Sequence, residues 1–168
     1  MAQITLKGNP VSTVGEIPAV GEELNDFTLV TTKLIRTHLS DYLGSKIVMN
    51  IFPSLDTPTC AMSVRQFNKL ASEMENTKVL CISRDLPFAQ ARFCGAEGLD
   101  NVITLSDFET GQFGYDYGLE IIDGALKGLH SRVVIIADEN GKVIYTEQVA
   151  DIASEPDYEK ALNALKQN

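Results

Sequence analysis

Ile47-Val48-Met49-Asn50-Ile51-Phe52-Pro53-Ser54-Leu55-Asp56-Thr57-Pro58-Thr59-Cys60 is the stretch from which the rest of the fold can be worked out. Its first half, residues 47 to 52, is the nearly continuous apolar run that a central strand carries when both of its faces are covered. Pro53 has no N–H and ends the ladder. After the turn, Asp56 or Thr57 can serve as N-cap, and Pro58 suits the first helical position, where its missing donor would have had no partner anyway. Cys60 therefore falls in the first turn of a helix. Downstream, Cys60, Val64, Phe67, Leu70, Ala71 and Met74 recur at helical spacing, which places the sulfur at the edge of the core-facing stripe. The helix is predicted to end near Glu75-Asn76-Thr77.

A cysteine so placed feels opposing influences. Partial burial disfavours the thiolate and the helix N-terminus favours it, so a fixed cation nearby decides between a nucleophile and an ordinary buried thiol. Thr57, one turn earlier, can accept the thiol proton or hydrogen-bond to the sulfur or to an incoming oxygen. The plainer reading is a core cysteine beside a capping threonine.

Composition bounds the remainder. A length of 168 residues, 44% hydrophobic and 22% charged, suits one globular domain with a full core, so a single domain over residues 1–168 is expected. Acidic residues outnumber basic ones, 23 against 14, with no Lys/Arg cluster, which argues against nucleic acid or an anionic membrane surface as partner. The first thirty residues hold no basic segment followed by an apolar one, and no run approaches the roughly 20 apolar residues of a membrane span, so a cytoplasmic location is expected. Three cysteines, an odd number, point to redox or nucleophilic chemistry rather than a secreted disulfide scaffold.

Outward from the central stretch, Val79-Leu80-Cys81-Ile82-Ser83 reads as a second buried strand, parallel to the first across the Cys60 helix. Cys81, in the middle of an apolar run, reads as a small core residue. Leu86-Pro87 opens a short helix to Cys94 with Gly95 as its stop, and Asn101–Leu105 is a third strand. Residues 111 to 118 contain one irregular helix at most. Arg132–Ala137 and Lys142–Tyr145 flank Asp138-Glu139-Asn140-Gly141 and form an antiparallel hairpin. Ser154, Pro156 and the pattern from Asp157 to Lys166 make a capped C-terminal helix. Ahead of all this, Phe27–Val30 is a short strand, Thr37–Gly44 holds a helical turn, and residues 1–14 are an N-terminal β-hairpin broken at Gly8-Asn9-Pro10, a peripheral addition. This order describes an α/β, thioredoxin-like fold: a central mixed sheet with helices on both faces and an extra N-terminal hairpin.

No Cys-x-x-Cys is present, since Ala61, Met62 and Ser63 follow Cys60. The cysteine spacing, with His38 and His130 remote, lacks a zinc pattern, and no phosphate loop, dinucleotide turn or serine-nucleophile elbow occurs. Both histidines read as surface residues. Arg132 stands at the mouth of a buried strand, where a guanidinium is unusual unless paired; it is either a carboxylate's partner or the cation Cys60 needs. Pro53-x-x-x-Thr57-x-x-Cys60 with a much later Arg resembles the active-site signature of the peroxiredoxin family. Asn50–Thr57 and Ser83–Cys94 closely resemble its bacterial thiol peroxidase subfamily, of the atypical two-cysteine kind, essentially end to end.

That resemblance implies that Cys60 is the peroxidatic cysteine and Cys94 the resolving one in the same chain. By the same resemblance Thr57 and Arg132 hold the thiolate and the peroxide, and Pro53 shields the pocket. It also implies reduction of hydrogen peroxide and organic hydroperoxides through a Cys60 sulfenic acid and a Cys60–Cys94 disulfide, recycled by thioredoxin, in a homodimer, with no metal or cofactor. Phe52, Leu55, Pro58, Phe88 and Phe93 flank the cysteines and suit alkyl hydroperoxides, or are plain core. A disulfide needs Cα atoms within about 7 Å, yet the two cysteines belong to separate helices, so segment 86–96 is expected to move. Two other readings compete: a peroxide sensor that passes its oxidation to a partner, and a binding module with inert thiols.

Overall fold

The structure, a computed structural model, describes residues 1–167. Its elements are β1 (Gln3–Leu6), β2 (Asn9–Ser12), β3 (Thr28–Thr31), β4 (Arg36–His38), a tight turn at Leu39–Asp41, β5 (Lys46–Ile51), α1 (Pro58–Ala71), β6 (Thr77–Ser83), α2 (Pro87–Glu97), β7 (Ile103–Ser106), α3 (Gln112–Asp116), β8 (Val133–Ala137), β9 (Val143–Gln148) and α4 (Tyr158–Lys166). β1 and β2 pair by themselves, and the other strands form one sheet in the order β4-β3-β7-β6-β5-β8-β9. β5, β6 and β7 run parallel, whereas β8 is antiparallel to β5 and β9. The mixed, thioredoxin-like sheet expected from the sequence is present. No helix among the described residues is long and apolar enough to cross a membrane.

The apolar run in β5 is explained by cover on both faces. Ile47, Met49 and Ile51 face Phe27, Phe113 and Tyr117, the last two from α3 and its C-terminal end, while Val48 shares the opposite core with α1, α2 and α4. Asn50 is the polar exception, and its Nδ2 donates to Ser63 Oγ of α1 at 3.2 Å. Cys81 is fully buried, as expected, and burial pushes its thiol up to about 12.

Several boundaries differ from the sequence reading. α1 stops at Ala71, because the chain tightens into turns through Glu73 N–H to Leu70 O and Met74 N–H to Ala71 O, and Asn76 at φ 46° then swings it into β6. α2 runs through Gly95 to Glu97 and stops at Gly98, whose φ of 65° lets Leu99 N–H close back on Cys94 O. The N-terminal hairpin turns at Lys7-Gly8, with φ of 50° and 83°, and Pro10 pairs with Thr5 inside β2. His38 is exposed, but His130 is not at the surface: it is fully buried with Nε2 2.8 Å from Asp107 Oδ2. Tertiary packing is the reason. Gly114 lies against the ring, which a Cβ there would meet at 2.9 Å.

Candidate active site

Cys60 lies in the first turn of α1 and is fully buried, deeper than its spacing suggests, because Phe52, Leu55 and Val64 belong to the same apolar cluster. Thr57 is the N-cap by backbone geometry, with Pro58 next to it, but its hydroxyl does not cap the helix. Instead it donates to Ser54 O at 3.0 Å, which leaves its lone pairs free and keeps it off the sulfur.

Arg132, just before β8, is 1% exposed, a burial that demands partners for its charge. Its Nη2 donates to Cys60 Sγ at 3.2 Å and its Nε to Ile152 O at 2.9 Å. None of the ion pairs among the described residues involves it, so the carboxylate alternative fails and the cation stands beside the thiol. Nη1 is buried without a protein acceptor. A buried guanidinium therefore donates directly to the sulfur.

Pro53, Thr57 and Arg132, the last donating to the buried sulfur, line a pocket of about 360 Å³. Its lining also includes the apolar Leu6, Leu126 and Ile152. The loop that carries Pro53 and Thr57 is pinned from the end of β6. Asp85 accepts from Ser54 Oγ at 2.7 Å, Leu55 N at 2.8 Å and Ser83 Oγ at 2.6 Å. Beneath the helix, Asn50 and Ser63 hold the other side, Ser63 Oγ donating to Cys60 O at 2.8 Å.

Cys94 is elsewhere. It sits half-buried in the last turn of α2 and lines a separate groove with Thr104 of β7. Burial pushes its thiol up, the Thr104 hydroxyl opposes this, and Asp100 adds to it. Thr104 and Arg132 stand on β7 and at the head of β8, three strand spacings or about 14 Å apart across the sheet, while Cys94 packs at the edge of the same apolar cluster that buries Cys60. Cys60, Thr57, Pro53 and Arg132 are brought together; Cys94 is not. Of the flanking aromatics, Phe52 is core, Phe88 is exposed, and Phe93 packs half-buried beneath the Arg65 guanidinium.

Against known proteins, the Redoxin family model matches residues 19–162. The chain belongs to the redoxin family. It is 53% identical over 165 residues to a thiol peroxidase of Corynebacterium glutamicum, covering 98% of this chain and 99% of that one. A thiol peroxidase of Mycobacterium bovis is 52% identical over the same shares. Among solved structures, a peroxiredoxin-like protein from Aquifex aeolicus superposes with a TM-score of 0.93 at 38% identity, covering 99% of this chain and 97% of that one. The chain is therefore a peroxiredoxin of the bacterial thiol peroxidase type, an oxidoreductase that reduces peroxide. A thiol peroxidase from Chromobacterium violaceum, at 22% identity, shares the fold with a TM-score of 0.92 over 99% of this chain and 97% of that one.

Sequence reasoning missed several residues of this peroxiredoxin's site. Asp85 was legible in principle, since it follows the C-terminal end of a parallel strand, where α/β sites gather. Tyr158 was not: it reaches the site from α4, where Glu155 accepts its hydroxyl proton at 2.9 Å, and burial first, then Glu155, raises its pKa while Arg132 opposes the shift. The N-terminal hairpin, expected to be peripheral, borders the pocket through Leu6 and Lys7.

Proposed function

We propose that this peroxidase reduces hydrogen peroxide and organic hydroperoxides with alkyl or lipid chains to water and alcohols, as antioxidant defence, with Cys60 as nucleophile and thioredoxin as reductant. The observation that carries the reading is the buried Arg132 guanidinium, with Nη2 on Cys60 Sγ at 3.2 Å and Nη1 without a protein partner. The Cys60 thiolate attacks the terminal, hydrogen-bearing oxygen of the peroxide and the O–O bond breaks. Thr57, its own proton committed to Ser54 O, accepts the peroxide O–H. The bonding pair leaves on the other oxygen as alkoxide or hydroxide, which Arg132 stabilises until it takes a proton. Pro53 shields the sulfur from water.

Cys60 is now a sulfenic acid. Cys94 attacks that sulfur, water leaves, and an intrachain disulfide shields Cys60 from further oxidation. Thioredoxin then reduces the disulfide by thiol exchange. Closure requires α2 to unwind, and α2 is weakly held: its buried residues are Pro87 and Gln90 alone, near its start. Its far end is tethered by Arg65 to Glu97 at 2.8 and 2.9 Å, a surface pair that solvent screens and that holds the helix only weakly. Unwinding also frees Cys94 from the burial that raises its pKa, so it becomes a better nucleophile as it becomes mobile. Hydrogen exchange on the oxidised protein is expected to show lost protection across residues 87–97, and unchanged protection would overturn this route.

A cytoplasmic setting suits chemistry that needs its thiols returned to the reduced form. We also propose a homodimer, for which exposed Leu86, Phe88, Phe108 and Tyr115 supply apolar surface. The mechanism is tested by intact mass after one equivalent of peroxide. Wild type is expected to lose the hydrogens of both thiols and to regain them with thioredoxin, while Cys94→Ser gains one oxygen and stops there. A disulfide still forming within the Cys94→Ser chain would refute the assignment of Cys94.

A further inference from the structure

Two short strands, β1 and β2, have no place in the main sheet, and a hairpin of this size is marginal alone in water. Two carboxylates hold it: Asp123 accepts from Ser12 N at 2.8 Å on the β2 side, and Asp151 holds β1 and the turn. One Asp151 oxygen accepts from Thr5 Oγ1 at 2.6 Å and Gly8 N at 2.9 Å, the other from Lys7 N at 3.2 Å and from Ala153 N, in its own segment, at 2.9 Å. The left-handed Lys7-Gly8 turn is what directs successive N–H groups at one carboxylate. Main-chain bonds from Thr5 N to Ala150 O and from Ile152 N to Thr5 O, both 2.8 Å, complete the joint.

The residues after Asp151 reach the reacting end of the site. Ile152 O accepts from Arg132 Nε at 2.9 Å, and Ala153 O accepts from Thr59 Oγ1 at 3.0 Å, one residue before Cys60. Beneath the hairpin, Ile4, Val11, Ile121 and Ile152 form a small core against which Leu6 and Leu126 pack. Leu6, Leu126 and Ile152 also line the 360 Å³ pocket. Hydrogen peroxide needs only Thr57 and Arg132; an alkyl or aryl hydroperoxide must also put its carbon body against the apolar lining.

We infer that the N-terminal hairpin is a wall of the substrate pocket and that Asp151 is a positioning residue that latches it there, setting the preference for bulky apolar hydroperoxides over hydrogen peroxide. The inference rests on the peroxidase reading above and deepens it. Asp151 acts through Leu6 and Ile152; it does not touch the reacting atoms. The donors around it, Thr5 first, hold its carboxyl well below the usual carboxylate range, so the latch stays charged wherever the enzyme works.

The test is the ratio of kcat/KM for cumene hydroperoxide to that for hydrogen peroxide, measured on the full chain with thioredoxin. Asp151→Ala is expected to lower that ratio about tenfold, since the apolar wall is lost to the larger substrate alone. Leu6→Ser, which spoils the wall and leaves the latch, should lower it in the same direction, and so should Thr5→Val; Asp151→Asn, which keeps one acceptor oxygen, should fall between. If Asp151→Ala does not fold, Leu6→Ser and Thr5→Val decide the matter. An unchanged ratio, or equal losses on both substrates, would overturn the inference. Failure of the peroxidase reading would look different: wild type would consume neither peroxide.

Discussion

Replacing Cys60 with serine is expected to abolish peroxide reduction, with kcat/KM down by about 10⁵-fold or more. The mechanism needs a nucleophile that is ionised at neutral pH and can carry an oxygen, and a serine hydroxyl supplies neither property. Collapse of the fold is not the cause. Sulfur and oxygen differ little in size, and the Arg132 Nη2 that donates to Sγ at 3.2 Å can donate to a hydroxyl. The check is peroxide consumption coupled to thioredoxin oxidation, with thermal unfolding recorded alongside. Cys81→Ser serves as the control, because that thiol is fully buried and pushed up to about 12, far from any reactive form. If Cys60→Ser kept turnover within tenfold of wild type, Cys60 would return to the status of a core residue.

Arg132→Met is expected to slow the reaction of Cys60 with hydrogen peroxide by about 10²- to 10³-fold, the range found when an oriented donor to a developing oxyanion is removed. Methionine fills a comparable space without charge. Lysine should rescue poorly, since a single ammonium cannot reproduce a planar group that reaches Ile152 O through Nε and Cys60 Sγ through Nη2. Stability should move the other way or stay level, because a guanidinium that is 1% exposed and paired with no carboxylate is costly to bury. Stopped-flow oxidation of Cys60 gives the rate, and urea unfolding gives the stability. A rate within threefold of wild type would remove Arg132 from the chemistry; a rate loss matched by unfolding would make it merely structural.

The residues differ in how far they could be read in advance. β5, the Pro58 start of α1 and the buried Cys81 were legible because each depends on neighbours a few positions away: an apolar run, a missing N–H, a helical repeat. The signature Pro53, Thr57 and Cys60 lies within one loop and one helical turn, so it was legible too. The ends of α1 and α2 were misplaced, since Asn76 and Gly98 take left-handed conformations that only the following strand or closure requires. The burial of His130 depended on Gly114 leaving room for its ring, a pairing no local pattern announces.

By itself, then, the sequence determined the class of fold, the helix that opens on Cys60, and through its motif the peroxiredoxin family. Tertiary structure alone decided what surrounds it. Arg132 meets Cys60 across 72 residues, and Thr5 meets Asp151 across 146. Such contacts are set by which strands lie side by side, not by any spacing along the chain. The same is true of where Cys94 sits relative to Cys60: helix signals place each cysteine at a helix end, but the order of the strands beneath decides where those ends lie.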